Sequence, residues 1–419
     1  MRAVAIACFL SLGIVSGCSG VADKAPGAPD AAPPEPAPPV VEMREERPVA
    51  VPAAASGLQV VDLRGELATS PRPFARWAPE VAIDDANEAL ATRCAGGAGS
   101  LHATDRPEGE NFEAWQTRVR AYVACVLGVA GRASRPLDLQ VVTASRATSR
   151  LTRVEITYNA FDSFQGVPQR VPATLYLPDA AGPVPAVVIY HGHGEGRIML
   201  TDRPGSAENV LAYRVAQDLG YVVLAPDTRS FGAFQLQAHD AYWRGLDPSV
   251  DGGFMGALAR DGLQDMSLLE SLPAVDSGRM GVAGLSMGAW RAIQLGVVHP
   301  SLRAVVATGL YVPFRYLFSN EHDGCQHLPA LAARLSMEDL GATLSANSFF
   351  AQWGANDYFY GAHDAAGALA RTRALIPSAD LTEALTDELN PGVGHQFIAE
   401  SIERYLTAKL GRGAWAPGG

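Results

Sequence analysis

Residues 279–290 read RMGVAGLSMGAW. An apolar run leads into Gly284-Leu285-Ser286-Met287-Gly288, and the following SMGAWRAIQLGVV holds good helix formers and no proline. A strand, a sharp turn and a helix in that order lift a serine hydroxyl clear of its own backbone. In a chain with 42 glycines the pentapeptide alone is weak. Its setting is what makes Ser286 a candidate nucleophile. Gly284 and Gly288 suit the turn because a Cβ at either would crowd the neighbouring chain. The helix N-terminus then offers the Met287 amide to a developing negative charge.

Outward from this stretch, short apolar runs alternate with helical ones. AVVIY (186–190), YVVLAPD (221–227), MGVAG (280–284), AVVATG (304–309) and FFAQWG (349–354) read as buried strands. Ahead of them LTRVEITYNAF (151–161) alternates as a half-buried strand, with VPATLYLP (171–178) as an antiparallel partner. This order predicts an α/β fold, a mostly parallel central sheet with helices on both faces. Ligands of such sheets sit outside the carboxyl ends of the strands. Residues 74–131 read as helical, with Phe112, Trp115, Val119, Tyr122, Val123 and Val126 along one face. The expected organisation is an N-terminal helical segment over 58–140, packed on a catalytic domain over 141–412.

A nucleophilic serine needs a base, and the base an orienting acid. Among nine histidines, His395 in the glycine-rich loop NPGVGHQF has the mobility to shuttle a proton. His299 at a helix end and His363 are weaker alternatives. Asp357, just past the strand FFAQWG, is the candidate acid; Asp364 is the alternative, and Asp227 is expected to hold its own loop. The strand AVVIY runs into HGHGEG (191–196), where the His193 amide is the candidate to pair with Met287 in an oxyanion hole, Gly194 being second. Metal binding by His191 and His193 is a rival reading that lacks a matching third ligand in the sequence.

With these residues in place the chain resembles the alpha/beta-hydrolase superfamily, whose nucleophile, acid and base follow the order Ser286, Asp357, His395. Within it, HGHGEG, APDTRSFG (225–232), residues 260–288, CQHLPAL (325–331) and the lead-in FEAWQTRVRAYVACVLG (112–128) resemble the dienelactone hydrolase and acetyl xylan esterase-like branch of bacterial serine esterases. The resemblance implies a serine esterase that needs no cofactor and no metal, acting on a small-molecule or saccharide ester, with residues 325–331 near the substrate mouth. It departs from the pattern at Tyr358 and at Ser230, where relatives often carry smaller residues. Residues 230–260 read as an insertion whose Phe231, Phe234, Tyr242, Trp243 and Phe254 either line an acyl or sugar pocket or bury the loop. A prolyl-oligopeptidase-like peptidase shares the triad order but carries a large propeller, and no blade-like repeat precedes this domain. A catalytically silent binding protein is the alternative from another class; the complete Ser, Asp and His argue against it.

The first residues add an address. Arg2 precedes an apolar run, Ala3–Val15, too short for a membrane span and of signal-peptide length. Val15-Ser16-Gly17-Cys18 resembles a lipoprotein box closing a signal region over 1–18, so Cys18 is the expected lipidation site and is left as the new N-terminus after cleavage. Ser19 next to it implies the outer membrane. Residues 19–57 are a Pro/Ala-rich linker expected to be disordered. Export predicts a Cys94–Cys125 disulfide, the alternative being buried thiols. A net charge of −11 gives nucleic acid no electrostatic footing.

Overall fold

The computed structural model describes residues 83–415 except 98, 320, 360 and 361, and leaves aside the side chains of 319, 321–323, 362–364 and 380. The leader, Cys18, the linker and the first part of the helical segment lie outside the described residues.

Nine described strands form one sheet in the order β1-β2-β3-β5-β4-β6-β7-β8-β9. They are β1 Gln140–Thr148, β2 Leu151–Asn159, β3 Arg170–Pro178, β4 Val184–Tyr190, β5 Val222–Pro226, β6 Val275–Leu285, β7 Ala304–Thr308, β8 Phe349–Gly354 and β9 Leu385–Asn390. β1, β2 and β3 pair antiparallel, and β5, β4, β6, β7, β8 and β9 run parallel. The chain is an alpha/beta-hydrolase in architecture. All five buried strands expected from apolar runs are present, as is the leading antiparallel pair.

The parallel strands β4, β5, β7 and β8 and the second half of β6 are buried on both faces, and their side chains divide with period two. On β4, Val187 and Ile189 enter a core closed by Leu211, Val215, Ile402 and Leu406. Val188 and Tyr190 enter the other, closed by Leu258, Leu269, Trp290 and Ile293. Helices Leu211–Leu219 and Ala399–Leu410 therefore cover one face. Helices Gly253–Ser271 and Met287–Val298 cover the other.

The helix Phe112–Val126 is part of that second core, with Trp115, Val119, Val123 and Val126 fully buried. Asn111 caps it by accepting the Ala114 amide at 2.8 Å. Gln116 fastens it to the main domain, donating to the Ala342 carbonyl at 3.1 Å and to Ser345 Oγ at 3.2 Å. Its aromatic stripe is core. The preceding helix Asp85–Cys94 is joined to it by a disulfide between Cys94 and Cys125, 31 residues apart. Closing an interval of that length removes about 3–4 kcal/mol of chain entropy from the unfolded state. Reduction is accordingly expected to lower the midpoint of thermal unfolding by several degrees; equal midpoints with and without reductant would mean that packing alone holds the helix pair.

Candidate active site

The turn after β6 holds Ser286 at φ 57° and ψ −124°. A non-glycine residue there stores roughly 1–3 kcal/mol of strain and persists only where its surroundings fix it. They do. The Ser286 amide donates to the Thr308 carbonyl at 2.9 Å, and its own carbonyl accepts from the Trp290 amide at 3.1 Å. A Cβ on Gly284 would lie 2.0 Å from the Gly288 oxygen, and one on Gly288 would lie 2.4 Å from the Tyr190 oxygen. Both flanking glycines are therefore demanded by backbone approach.

β7 and β8 bring the rest. Asp357 is buried three residues past β8, and its Oδ2 lies 2.7 Å from His395 Nδ1. Its Oδ1 accepts the Phe359 amide at 2.9 Å. Gly309 follows the Thr308 that holds the Ser286 amide; a Cβ there would meet the His395 ring at 2.8 Å and Asp357 Oδ2 at 3.3 Å. The imidazole thus lies against the strand end next to Ser286. His395 Nε2 is buried and makes no hydrogen bond. A nucleophile–base bond that closes only when substrate binds is common in empty sites. His299 is at the far end of the helix Met287–Val298 (the elbow helix), about 18 Å along its axis, with its ring on Ser301 Oγ at 2.7 Å. The side chains of His363 and Asp364 lie outside the described residues.

The loop after β4 faces the same turn. A Cβ on Gly192 would approach the Leu285 oxygen at 3.1 Å and Ser286 Cβ at 3.2 Å. Among the described residues, neither the His193 amide nor the Met287 amide donates to a protein acceptor. His191 is buried and spends both ring nitrogens: Nδ1 lies 2.7 Å from the Gly192 oxygen and Nε2 accepts the Thr228 amide at 2.9 Å. Burial lowers its pKa. It is a strut between two loops and has no nitrogen left for a metal. Asp227 is a second strut, accepting the Arg197 amide at 2.7 Å and the Ala233 amide at 2.9 Å.

Glu208 is a residue that the sequence did not mark. Its buried Oε1 accepts the Gly192 amide at 2.9 Å, so it sets the height of the loop that carries the His193 amide. Burial pushes its pKa up to about 8, with the Gly192 hydrogen bond opposing. The folded chain thus keeps a proton that an unfolded glutamate, near 4.5, releases. The stabilisation is fully present below pH 4.5 and is lost as pH rises towards 8. Glu208→Gln keeps the acceptor without the titration. Its unfolding midpoint is expected to be flatter than that of the parent chain between pH 5 and 8; parallel curves would contradict the assignment.

Buried ion pairs explain the acidic and basic positions of APDTRSFG and RDGLQD. Arg291, one turn into the elbow helix, donates to Asp265 at 2.7 Å, and Tyr190 donates to the same carboxylate at 2.8 Å. Arg229 pairs with Asp261. Each pair joins a site loop or the helix Met287–Val298 to the helix Gly253–Ser271, and such buried pairs fix geometry more than they add stability. Ser230, between them, sits at φ 69°, a backbone conformation that suits glycine.

The insertion folds over this edge. Phe231, Phe234, Tyr242 and Phe254 are buried, and Trp243 is partly so. The Phe231 ring lies 5.7 Å from His191 and 5.6 Å from His193. These aromatics pack the loop down beside the site. The 325–331 segment meets them, with Cys325 Sγ 3.2 Å from His193 Nε2 and the Gln326 carbonyl accepting from Trp290 Nε1 at 3.1 Å. Tyr358 and Phe359, directly after the candidate acid, are exposed, and Phe359 stands edge-on to His395 at 4.7 Å.

Residues 133–320 match the family model of acetyl xylan esterase (AXE1). The match takes in Ser286 and the His193 loop and stops short of Asp357 and His395. No curated protein matches the chain in sequence. Among solved structures, the chain is similar to a Bacteroides fragilis protein assigned as an acetyl xylan esterase, at 14% identity and a TM-score of 0.55, over 76% of this chain and 88% of that one. It is also similar to the glucuronoyl esterase from Solibacter usitatus, at 15% identity and a TM-score of 0.57, over 75% and 97%. A third is the methylesterase BT1017, at 18% identity and a TM-score of 0.53, over 78% and 68%. These likenesses place the fold among the alpha/beta-hydrolases.

Proposed function

We propose that this chain, an alpha/beta-hydrolase of the acetyl xylan esterase-like branch, is a serine carboxylesterase that acts on carbohydrate esters through an acyl-enzyme on Ser286. The observation that carries this reading is the convergence on one strand edge of the strained Ser286, the His395–Asp357 pair and two unspent amides.

In the first step His395 Nε2 takes the Ser286 proton as Oγ attacks the ester carbonyl. The His193 and Met287 amides hold the oxyanion, and Asp357 steadies the imidazolium. The imidazolium then protonates the departing alcohol. In the second step a water enters, gives its proton to His395, and releases the carboxylic acid from Ser286. Every proton lost in one half returns in the other.

The exposed pair Tyr358 and Phe359 supports a saccharide as the alcohol part. Their rings are 4.2 Å apart at the mouth beside His395 and are not needed to fill the core. Aromatic faces of this kind bury the C–H faces of sugars while leaving hydroxyls in water. The match of residues 133–320 to the acetyl xylan esterase model supports the esterase over the peptidase alternative. The test is a panel of short-chain aryl esters, acetylated xylo-oligosaccharides and peptidyl amides. Turnover of the acetylated saccharides at rates at least comparable with the aryl esters is expected; faster cleavage of amides would overturn the reading.

The leader and Cys18 support export and lipid attachment, with the outer membrane as destination. Incorporation of labelled palmitate that is lost in Cys18→Ala is the expected result, and equal labelling of both proteins would contradict it.

A further inference from the structure

His193, His239 and Cys325 belong to three separate parts of the chain: the loop after β4, the insertion, and the segment that resembles the branch's substrate mouth. One possible ligand atom from each lies within 4.8 Å of the other two. His193 Nε2 is 3.2 Å from Cys325 Sγ. The His193 and His239 rings meet edge to face at 5.3 Å. His239 is otherwise surrounded by Phe231 at 4.5 Å and Phe254 at 5.4 Å. Both of its ring nitrogens are buried and have no hydrogen-bond partner. A neutral imidazole carries one N–H and one lone pair, and leaving both unmet beneath aromatic rings is costly. Packing alone would favour an apolar side chain there.

We infer that these three residues form a binding site for a borderline-soft divalent cation, Zn²⁺ above all. Its ligands are His193 Nε2, one His239 nitrogen and the Cys325 thiolate, with the fourth position open. Tetrahedral Zn²⁺, with Zn–N about 2.0 Å and Zn–S about 2.3 Å, holds its donors roughly 3.3–3.6 Å apart. The His193–Cys325 pair, at 3.2 Å, is within about 0.3 Å of that spacing, and His239 needs to close by about 1 Å. Two imidazoles and a thiolate discriminate against Mg²⁺ and Ca²⁺, which take oxygen ligands. Binding converts the Cys325 thiol to a zinc-bound thiolate and releases its proton to solvent, with no change of oxidation state. His193 is exposed, so a cation can enter from solvent. The bound ion ties the insertion and the 325–331 segment to the loop that carries the His193 amide. The site therefore sits on the substrate mouth and uses the His193 ring, leaving the His193 amide and the side chains of Ser286, His395 and Asp357 to acyl transfer.

The experiment uses the full chain, stripped with a chelator and titrated with Co²⁺ and then Zn²⁺. One Co²⁺ per chain is expected, with a near-ultraviolet thiolate-to-cobalt charge-transfer band and the intense visible bands of a tetrahedral site, both removed by one equivalent of Zn²⁺. Cys325→Ser should abolish the charge-transfer band. His239→Asn, which keeps the thiol, should weaken Zn²⁺ at least tenfold while circular dichroism stays that of the parent. Failure to bind, a cobalt spectrum without the charge-transfer band, or unchanged affinity in both folded variants would overturn the site. None of these readouts depends on ester turnover, so they leave the role of Ser286 to its own tests.

Discussion

Replacing Ser286 by alanine is expected to lower kcat on a short-chain aryl acetate by about 10⁴- to 10⁶-fold. The loss follows from chemistry and not from folding. Alanine removes the oxygen that forms the acyl bond while the turn stays held by the Thr308 carbonyl and the Trp290 amide. The His193 and Met287 amides remain in place, so a residual acceleration over water of about 10³ is expected from oxyanion binding alone. A matched thermal midpoint with kcat reduced at least 10⁴-fold is the predicted pair of results. A reduction of less than tenfold would assign the reaction to another group.

The second large effect belongs to Asp357→Asn. One carboxylate oxygen meets His395 Nδ1 at 2.7 Å and the other accepts the Phe359 amide at 2.9 Å. An asparagine satisfies the Phe359 amide only with its oxygen, which turns its NH₂ towards His395 Nδ1. Nδ1 must then accept, and the proton moves to Nε2, the nitrogen that has to take the Ser286 proton. The base is locked in the unproductive tautomer, and kcat should fall about 10⁴-fold with little change in KM. The Asp357→Asn protein should still bind substrate. Stopped-flow or steady-state kinetics showing near-parental kcat would mean that a different carboxylate orients the histidine.

What the sequence made legible follows from burial. These stretches of β4 to β8 are covered on both faces, so AVVIY, YVVLAP, MGVAG, AVVAT and FFAQWG are apolar but for Thr308 and Gln352 and could be read directly. β1 and β9 are the two edges of the sheet. QVVTASRAT is exposed along most of its length, and LTDELN is largely polar, so neither carries the apolar alternation by which a strand is recognised. The order of Ser286, Asp357 and His395 was legible because each lies at a strand end or in a glycine-rich loop. Glu208 was not. Its role comes from burial beneath Gly192, and nothing in the stretch SAENV marks a glutamate that will be enclosed. The grouping of His193, His239 and Cys325 was hidden for a related reason. The sequence offered His191 beside His193 as the natural pair, whereas the fold turns His191 inward as a strut and brings its neighbour to residues 46 and 132 positions away.

The proposed reaction turns on Ser286 as the acylated residue. Its most direct test is incubation of the intact protein and the Ser286→Ala variant with a fluorophosphonate, followed by peptide mass mapping. The prediction is one phosphonyl group per chain, on the peptide containing GLSMG, with turnover lost in step and no label on the variant. An unlabelled intact protein, or a label on another residue that survives Ser286→Ala, would contradict it.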